Sequence, residues 1–131
     1  MGPEASNDEL VRAMLSAWER RDTAFIMEHF TDDAVYQAMP LRPITGKAAL
    51  APWVESFEEV PPGRLEIRHQ VASGNLVMNE RVDRITLEGA EVTLPICAVF
   101  EVEDGRVRAW REYFDLAGIQ SALRERQTSA E

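Results

Sequence analysis

Apolar residues along this chain fall into two regimes that change over near residue 64. Before that point they recur every three or four positions, the period of an amphipathic helix; after it they alternate with polar residues, the period of a strand. Leu10, Val11, Met14, Leu15 and Trp18 predict a first helix from Ser6 to about Arg21, entered through Ser6 and Glu9 as a capping box. Asp22 or Thr23 caps a second helix anchored by Phe25, Ile26, His29 and Phe30, which Thr31-Asp32-Asp33 ends. Ala34 to Met39 predicts a short strand carrying Tyr36, and Pro40-Leu41-Arg42-Pro43 continues neither a helix nor a central strand. Gly46 precedes a third helix from Lys47 to Phe57, which Pro52 interrupts, and Pro61-Pro62-Gly63 is a firm break.

Beyond the break, four alternating runs (65–72, 76–87, 92–103 and 107–115) are separated by Ser73-Gly74-Asn75, Glu88-Gly89 and Asp104-Gly105, all hairpin turn signals. They predict an antiparallel meander. Leu116, Ile119 and Leu123 then recur at helical spacing, so a short C-terminal helix over 116–126 follows. Helices first and strands afterwards is an α+β plan, with the N-terminal helices covering one face of a curved sheet. Long bulged strands wrap such an antiparallel or mixed sheet into a cone with a deep pocket. A chain of 131 residues suits one domain, 1–131, with loose tails at 1–5 and 127–131.

Charge narrows the partners. Fourteen basic residues against 23 acidic ones give a net charge of −9, which repels nucleic acid and anionic membranes and favours a neutral small molecule or another protein. A polar, acidic N-terminus without a signal-peptide core, and no apolar run of spanning length, predict a cytoplasmic protein. The single cysteine, Cys97, lies in the apolar run Leu94 to Phe100 and reads as a buried structural thiol. His29 and His69 stand in no metal-ligand spacing and read as structural or exposed, so neither metal nor cofactor is expected.

What is left for chemistry is a set of polar residues on strand faces. In Asn79-Glu80-Arg81-Val82-Asp83-Arg84-Ile85, Arg81 and Asp83 point the same way, bracketed by Val77 and Ile85. If that face is inward, a cation and a carboxylate are held in apolar surroundings; if outward, they form a surface pair, and the opposite face with Glu80 and Arg84 looks no more apolar. Trp110, Glu112 and Phe114 set a second acid between aromatic residues on another strand. Two carboxyl groups with an arginine among them suit paired acid and base work, because environment pushes their pKa values apart. The Tyr36 hydroxyl can position a water or a substrate oxygen.

Three separated stretches carry a resemblance. Tyr36-Gln37-Ala38-Met39-Pro40-Leu41, Glu80-Arg81-Val82-Asp83, and Val99-Phe100 with Asp104-Gly105 leading into Trp110-Arg111-Glu112-Tyr113-Phe114-Asp115 resemble the bacterial limonene epoxide hydrolase family. That family shares the cone-shaped fold of nuclear transport factor 2 and ketosteroid isomerase. The resemblance implies a one-step, cofactor-free opening of a neutral, largely apolar epoxide to a vicinal diol. The acid at Asp83 protonates the epoxide oxygen and the acid at Glu112 deprotonates the attacking water. Arg81 bridges the two, Tyr36 helps hold the water, and the assembly is a homodimer. Ile85, Leu94, Ile96, Trp110 and Phe114 are candidate pocket walls.

Two departures stand out. The family has an asparagine where this chain has Ala38, and an aspartate where it has Glu112, one methylene longer. Glu112 reaching into the space at Ala38, or Gln37 turning inward, would compensate, and strand parity argues against Gln37. The loss of a water holder leaves a second reading open, an epoxide-opening cyclase whose substrate brings its own hydroxyl. A non-catalytic binding module of the same fold is the third.

Overall fold

The structure is a computed structural model that describes residues 2–130, and of 126–130 the backbone only. Helix α1 spans Pro3–Arg20 and α2 spans Thr23–Glu28; strands β1 (Phe30–Met39) and β2 (Ile44–Thr45) precede α3 (Lys47–Glu55). The meander follows as β3 (Arg64–Ser73), β4 (Leu76–Leu87), β5 (Ala90–Glu103) and β6 (Arg106–Tyr113), and α4 (Leu116–Ala130) ends the chain. One six-stranded sheet has the order β2-β1-β6-β5-β4-β3. β3 to β6 pair antiparallel as their turn signals required, whereas β1 lies parallel to β6, which makes the sheet mixed. In the turns at Glu88-Gly89 and Asp104-Gly105 both central residues have positive φ, the backbone whose twist matches a two-residue hairpin.

Several boundaries differ from the sequence expectation, each for a local reason. Helix α1 starts at Pro3 instead of Ser6: proline suits the first turn, where its missing N–H has no partner to lose. Phe30 begins β1 and does not end α2, because its backbone joins the ladder with β6. Asp22 does cap α2, its side chain accepting from the Phe25 N–H at 3.1 Å. The short β2 had no sequence signal; it pairs Val35 with Thr45 and Tyr36 with Ile44. Helix α4 continues past Arg126 to Ala130; of the two expected tails, Met1 and Glu131 lie outside the described residues. Among the described residues no helix is long and apolar enough to cross a membrane.

Register shifts in β1, β3 and the β5–β6 pair bend the sheet so that its concave face turns toward the helices. α1 packs across β3 and β4, and α3 across β1. Between them lies a core of Val11, Met14, Phe30, Leu50, Val77 and Phe100, all buried. At the start of β3 a side chain at Gly63 would lie 2.8 Å from the Arg84 carbonyl, so glycine lets the strand close onto β4.

Strict alternation along β5 corrects one expectation. Leu94, Ile96, Ala98 and Phe100 face inward, so Cys97 takes the outer face and is exposed. An apolar run looks uniformly buried in sequence, but a sheet covered on one side alone buries every second residue. Phe100 is fully buried and packs 4.9 Å from the Trp110 ring. Truncation in Phe100→Ala is expected to cost about 3–5 kcal/mol in urea unfolding.

Candidate active site

Successive inward positions of β4 are Val77, Asn79, Arg81, Asp83 and Ile85, while Glu80 and Arg84 are exposed on the outer face. The face that was ambiguous in sequence is therefore the inner one. Across the ladder Arg81 lies opposite Ile96 and Asp83 opposite Leu94 on β5. On the same concave face Ala98 of β5 pairs with Glu112 of β6, and Glu112 in turn with Ala38 of β1. Tyr36 pairs with Trp110 two residues away. Four strands thus bring the predicted residues together.

Arg81 holds the cluster. Its Nε donates to Asp83 Oδ1 at 3.0 Å and its Nη2 to Asp83 Oδ2 at 2.9 Å, a two-pronged grip on one carboxylate. The same Nη2 also donates to Glu112 Oε2. The Tyr36 hydroxyl donates to Glu112 Oε1 at 2.6 Å. Arg81 is 1% exposed, Asp83 5%, and Glu112 and Tyr36 8%. One guanidinium cannot neutralise two carboxylates, so a buried site with both ionised keeps an uncompensated negative charge, and a proton relieves it.

The titration tendencies follow that charge count. Burial pushes the Asp83 carboxyl above its ordinary value; Arg81 pulls it down, and the negative charges of Glu112 and Glu19 push it up again. Burial and the Glu112 carboxylate hold the Tyr36 phenol well above its usual range, so it stays a hydrogen-bond donor. For Arg81, burial opposes the charge but the hydrogen bonds and fields of Asp83 and Glu112 outweigh it, and the guanidinium remains charged.

These groups sit in the wall of a cavity of about 330 Å³. All five expected wall residues, Ile85, Leu94, Ile96, Trp110 and Phe114, line it. The helices add what sequence reasoning left out. Trp53 of α3 stacks on Tyr36 with centroids 4.1 Å apart, and Trp18 of α1 packs 5.1 Å from Trp53. Glu19 also reaches the cavity, with Oε2 accepting from the Leu65 N–H at 2.7 Å on edge strand β3. Helical spacing placed Trp18 among the apolar positions of the first helix, but nothing in sequence ties Trp53 to Tyr36, because that contact joins separate elements. Among the described residues the buried Trp110 Nε1 finds no hydrogen-bond partner.

At the two departures, Ala38 lines the cavity beside Glu112, whereas Gln37 turns away and donates to the Leu41 carbonyl at 2.9 Å. Ala38 stands beside Glu112 on the neighbouring strand, and the tyrosine hydroxyl donates to that acid directly. The histidines lie elsewhere: His29 stacks on Phe25, and His69 pairs with Glu80 on the outer surface. Among the described residues no group of three or more His, Cys, Asp or Glu side chains is arranged to hold a metal.

Comparison with known proteins gives the family and the fold. The sequence profile of the limonene-1,2-epoxide hydrolase catalytic domain matches residues 5–125. Epoxide hydrolase EphG of Mycobacterium tuberculosis is 31% identical over 113 residues, 86% of this chain and 76% of that protein. The structure of an M. tuberculosis LEH-like epoxide hydrolase superposes with a TM-score of 0.82 at 28% identity, covering 88% of this chain and 87% of that one. An NTF2-like protein from Burkholderia pseudomallei superposes at 0.77 with 20% identity, over 87% and 94% of the two chains, a likeness of fold. The chain belongs to the limonene-1,2-epoxide hydrolase family.

Proposed function

We propose that this protein is a cofactor-independent epoxide hydrolase that adds water to a neutral, largely apolar epoxide to give a vicinal diol. One observation carries the reading: a single buried guanidinium grips both Asp83 and Glu112 in the wall of an apolar cavity. Asp83, whose proton affinity is raised, gives its proton to the epoxide oxygen as the C–O bond breaks. Glu112 takes a proton from the water whose oxygen forms the new C–O bond. Each of its oxygens accepts one hydrogen bond, leaving lone pairs for that water. Arg81 keeps both carboxyl groups in place through the exchange, and solvent returns the proton from Glu112 to Asp83. A cavity of about 150 Å³ takes benzene, so about 330 Å³ suits a substrate of roughly a dozen non-hydrogen atoms.

A second reading has its own support. Tyr36 bonds directly to Glu112 at 2.6 Å, and Ala38 offers no polar group to a water, so a substrate carrying its own hydroxyl could deliver the nucleophile. The same acid and base would then form a cyclic ether. Homodimerisation is part of the proposal. Val71, Met78 and Tyr113 are exposed apolar side chains on the outer face of the sheet, the side on which Cys97 also lies.

Terpene, styrene and cyclohexene epoxides incubated in ¹⁸O-water are expected to give diol with one labelled oxygen. Unlabelled cyclic ether from a hydroxy-epoxide, without diol, would instead support the cyclase. Tight binding of the epoxides without any product would leave a binding module. Asp83→Asn, which keeps shape but removes the acid, is expected to lower kcat by a factor on the order of 10³. Activity is expected to fall as pH rises through the raised Asp83 value, because the protonated acid is the working form, and an acid at the ordinary value of about 4 would place that fall lower. Light scattering is expected to give twice the chain mass of 14.8 kDa, and Met78→Glu to return the monomer.

A further inference from the structure

Arg81 directs one more N–H away from both carboxylates. Its Nη1 donates to Asn79 Oδ1 at 3.2 Å, and Asn79 Nδ2 donates to Gln70 Oε1 at 3.0 Å. Gln70 Nε2 then donates to Asp8 of α1, at 2.8 Å to Oδ1 and 3.1 Å to the main-chain oxygen. Asp8 is itself held by Arg12 through Nε at 2.9 Å. We infer that Asn79 and Gln70 are positioning residues of the acid–base site, forming an amide chain that fixes the plane of the Arg81 guanidinium and with it the placement of Asp83 and Glu112.

The two charged ends of the chain decide its direction. A carboxylate accepts and a guanidinium donates, so Gln70 must turn its NH₂ to Asp8 and its oxygen to Asn79. Asn79 in turn has one orientation that satisfies both neighbours: NH₂ to Gln70, oxygen to Arg81. Flipping either amide sets two donors or two acceptors face to face. Both amides are therefore locked by charge at each end, and every link is oriented toward the site.

The site has a mechanical need for such a lock. Arg81 on β4 must reach past β5 to Glu112 on β6, over a side chain with four freely rotating bonds. Asp83 grips Nε and Nη2, and Glu112 also takes Nη2, so both catalytic contacts hold one edge of the planar guanidinium and neither holds its opposite corner, Nη1. The bond to Asn79 pins that remaining nitrogen from a third direction. Asn79 is buried, so removing either of its partners leaves an unsatisfied polar group, which disfavours alternative orientations. The chain begins in α1, which ties the packing of that helix on β3 to the geometry of the site.

The effect on catalysis rests on the epoxide hydrolase reading, whereas the effect on Arg81 does not. Asn79→Leu, Gln70→Met and the double variant are to be compared with the parent for kcat, KM, pH profile and melting temperature, and for the ¹⁵N–¹H resonances of the Arg81 guanidinium. Asn79→Leu and Gln70→Met are each expected to lower kcat about tenfold with KM within about twofold, since misplacement on the order of 1 Å costs up to roughly a hundredfold. The double variant is expected to be no worse than Asn79→Leu, because links of one chain do not add. The high-pH limb is expected to move up, since a looser Arg81 pulls the Asp83 pKa down less. The Arg81 Nη protons, separately resolved in the parent, are expected to average in Asn79→Leu. A lower melting temperature with kcat, pH limb and Arg81 resonances all unchanged would overturn the inference and leave two buried amides with a structural role alone. If the parent forms no diol, the function proposal fails while the resonances still decide whether Asn79 holds Arg81; Gln70→Met, on an edge strand outside the core, decides the same point should Asn79→Leu not fold.

Discussion

One buried guanidinium serving two carboxylates is the constraint around which the rest of this molecule is arranged. Taking an ion out of water costs several kcal/mol, and removing one member of a buried pair costs about 3–5 kcal/mol because the other is left uncompensated. Asp83, Glu112, Tyr36 and Asn79 therefore stand or fall with Arg81, and each is buried with a hydrogen bond that leads back to it. The same geometry yields the chemistry. With one positive charge between two buried acids, burial and the neighbouring carboxylate raise the proton affinity of Asp83 against the pull of Arg81.

Bending of the sheet makes this arrangement possible. A flat sheet would expose its inner face along the whole length of β4 and β5; bulges curl it so that α1 and α3 close over the face around a cavity. The strands supply charge and the helices supply aromatic rings. Trp53 stacks on Tyr36, Trp110 packs edge-on to the same ring at 5.5 Å, and Trp18 packs against both tryptophans. The tyrosine is left little freedom, so its hydroxyl is aimed at Glu112 by packing as well as by hydrogen bonding.

Ala38 and Glu112 complement each other in space. Ala38 and Glu112 are directly paired on neighbouring strands, so a shorter side chain at one position leaves room for a longer one at the other. One side of the cluster is thereby built around a direct tyrosine–glutamate contact, and the other around the two-pronged grip of Arg81 on Asp83.

Much of the fold was legible in the sequence because it rests on local signals. Hairpin turns needing positive φ fixed the antiparallel order of β3 to β6, and the two-residue period put Arg81, Asp83 and Glu112 on faces whose side chains could be tracked. Which of the two faces was inner could not be read, since Glu80 and Arg84 made both look polar; only the helices packing on one side decided it. Cys97 was misread for the same reason, as alternation within an apolar run has no visible direction until one side is covered. The parallel pairing of β1 with β6, the Trp53–Tyr36 stack and the chain from Asp8 through Gln70 and Asn79 join residues far apart in sequence. Local periodicity determined what each segment would be and which side chains shared a face. Contacts between segments decided which face became a site, because burial belongs to the packed whole and not to any one strand.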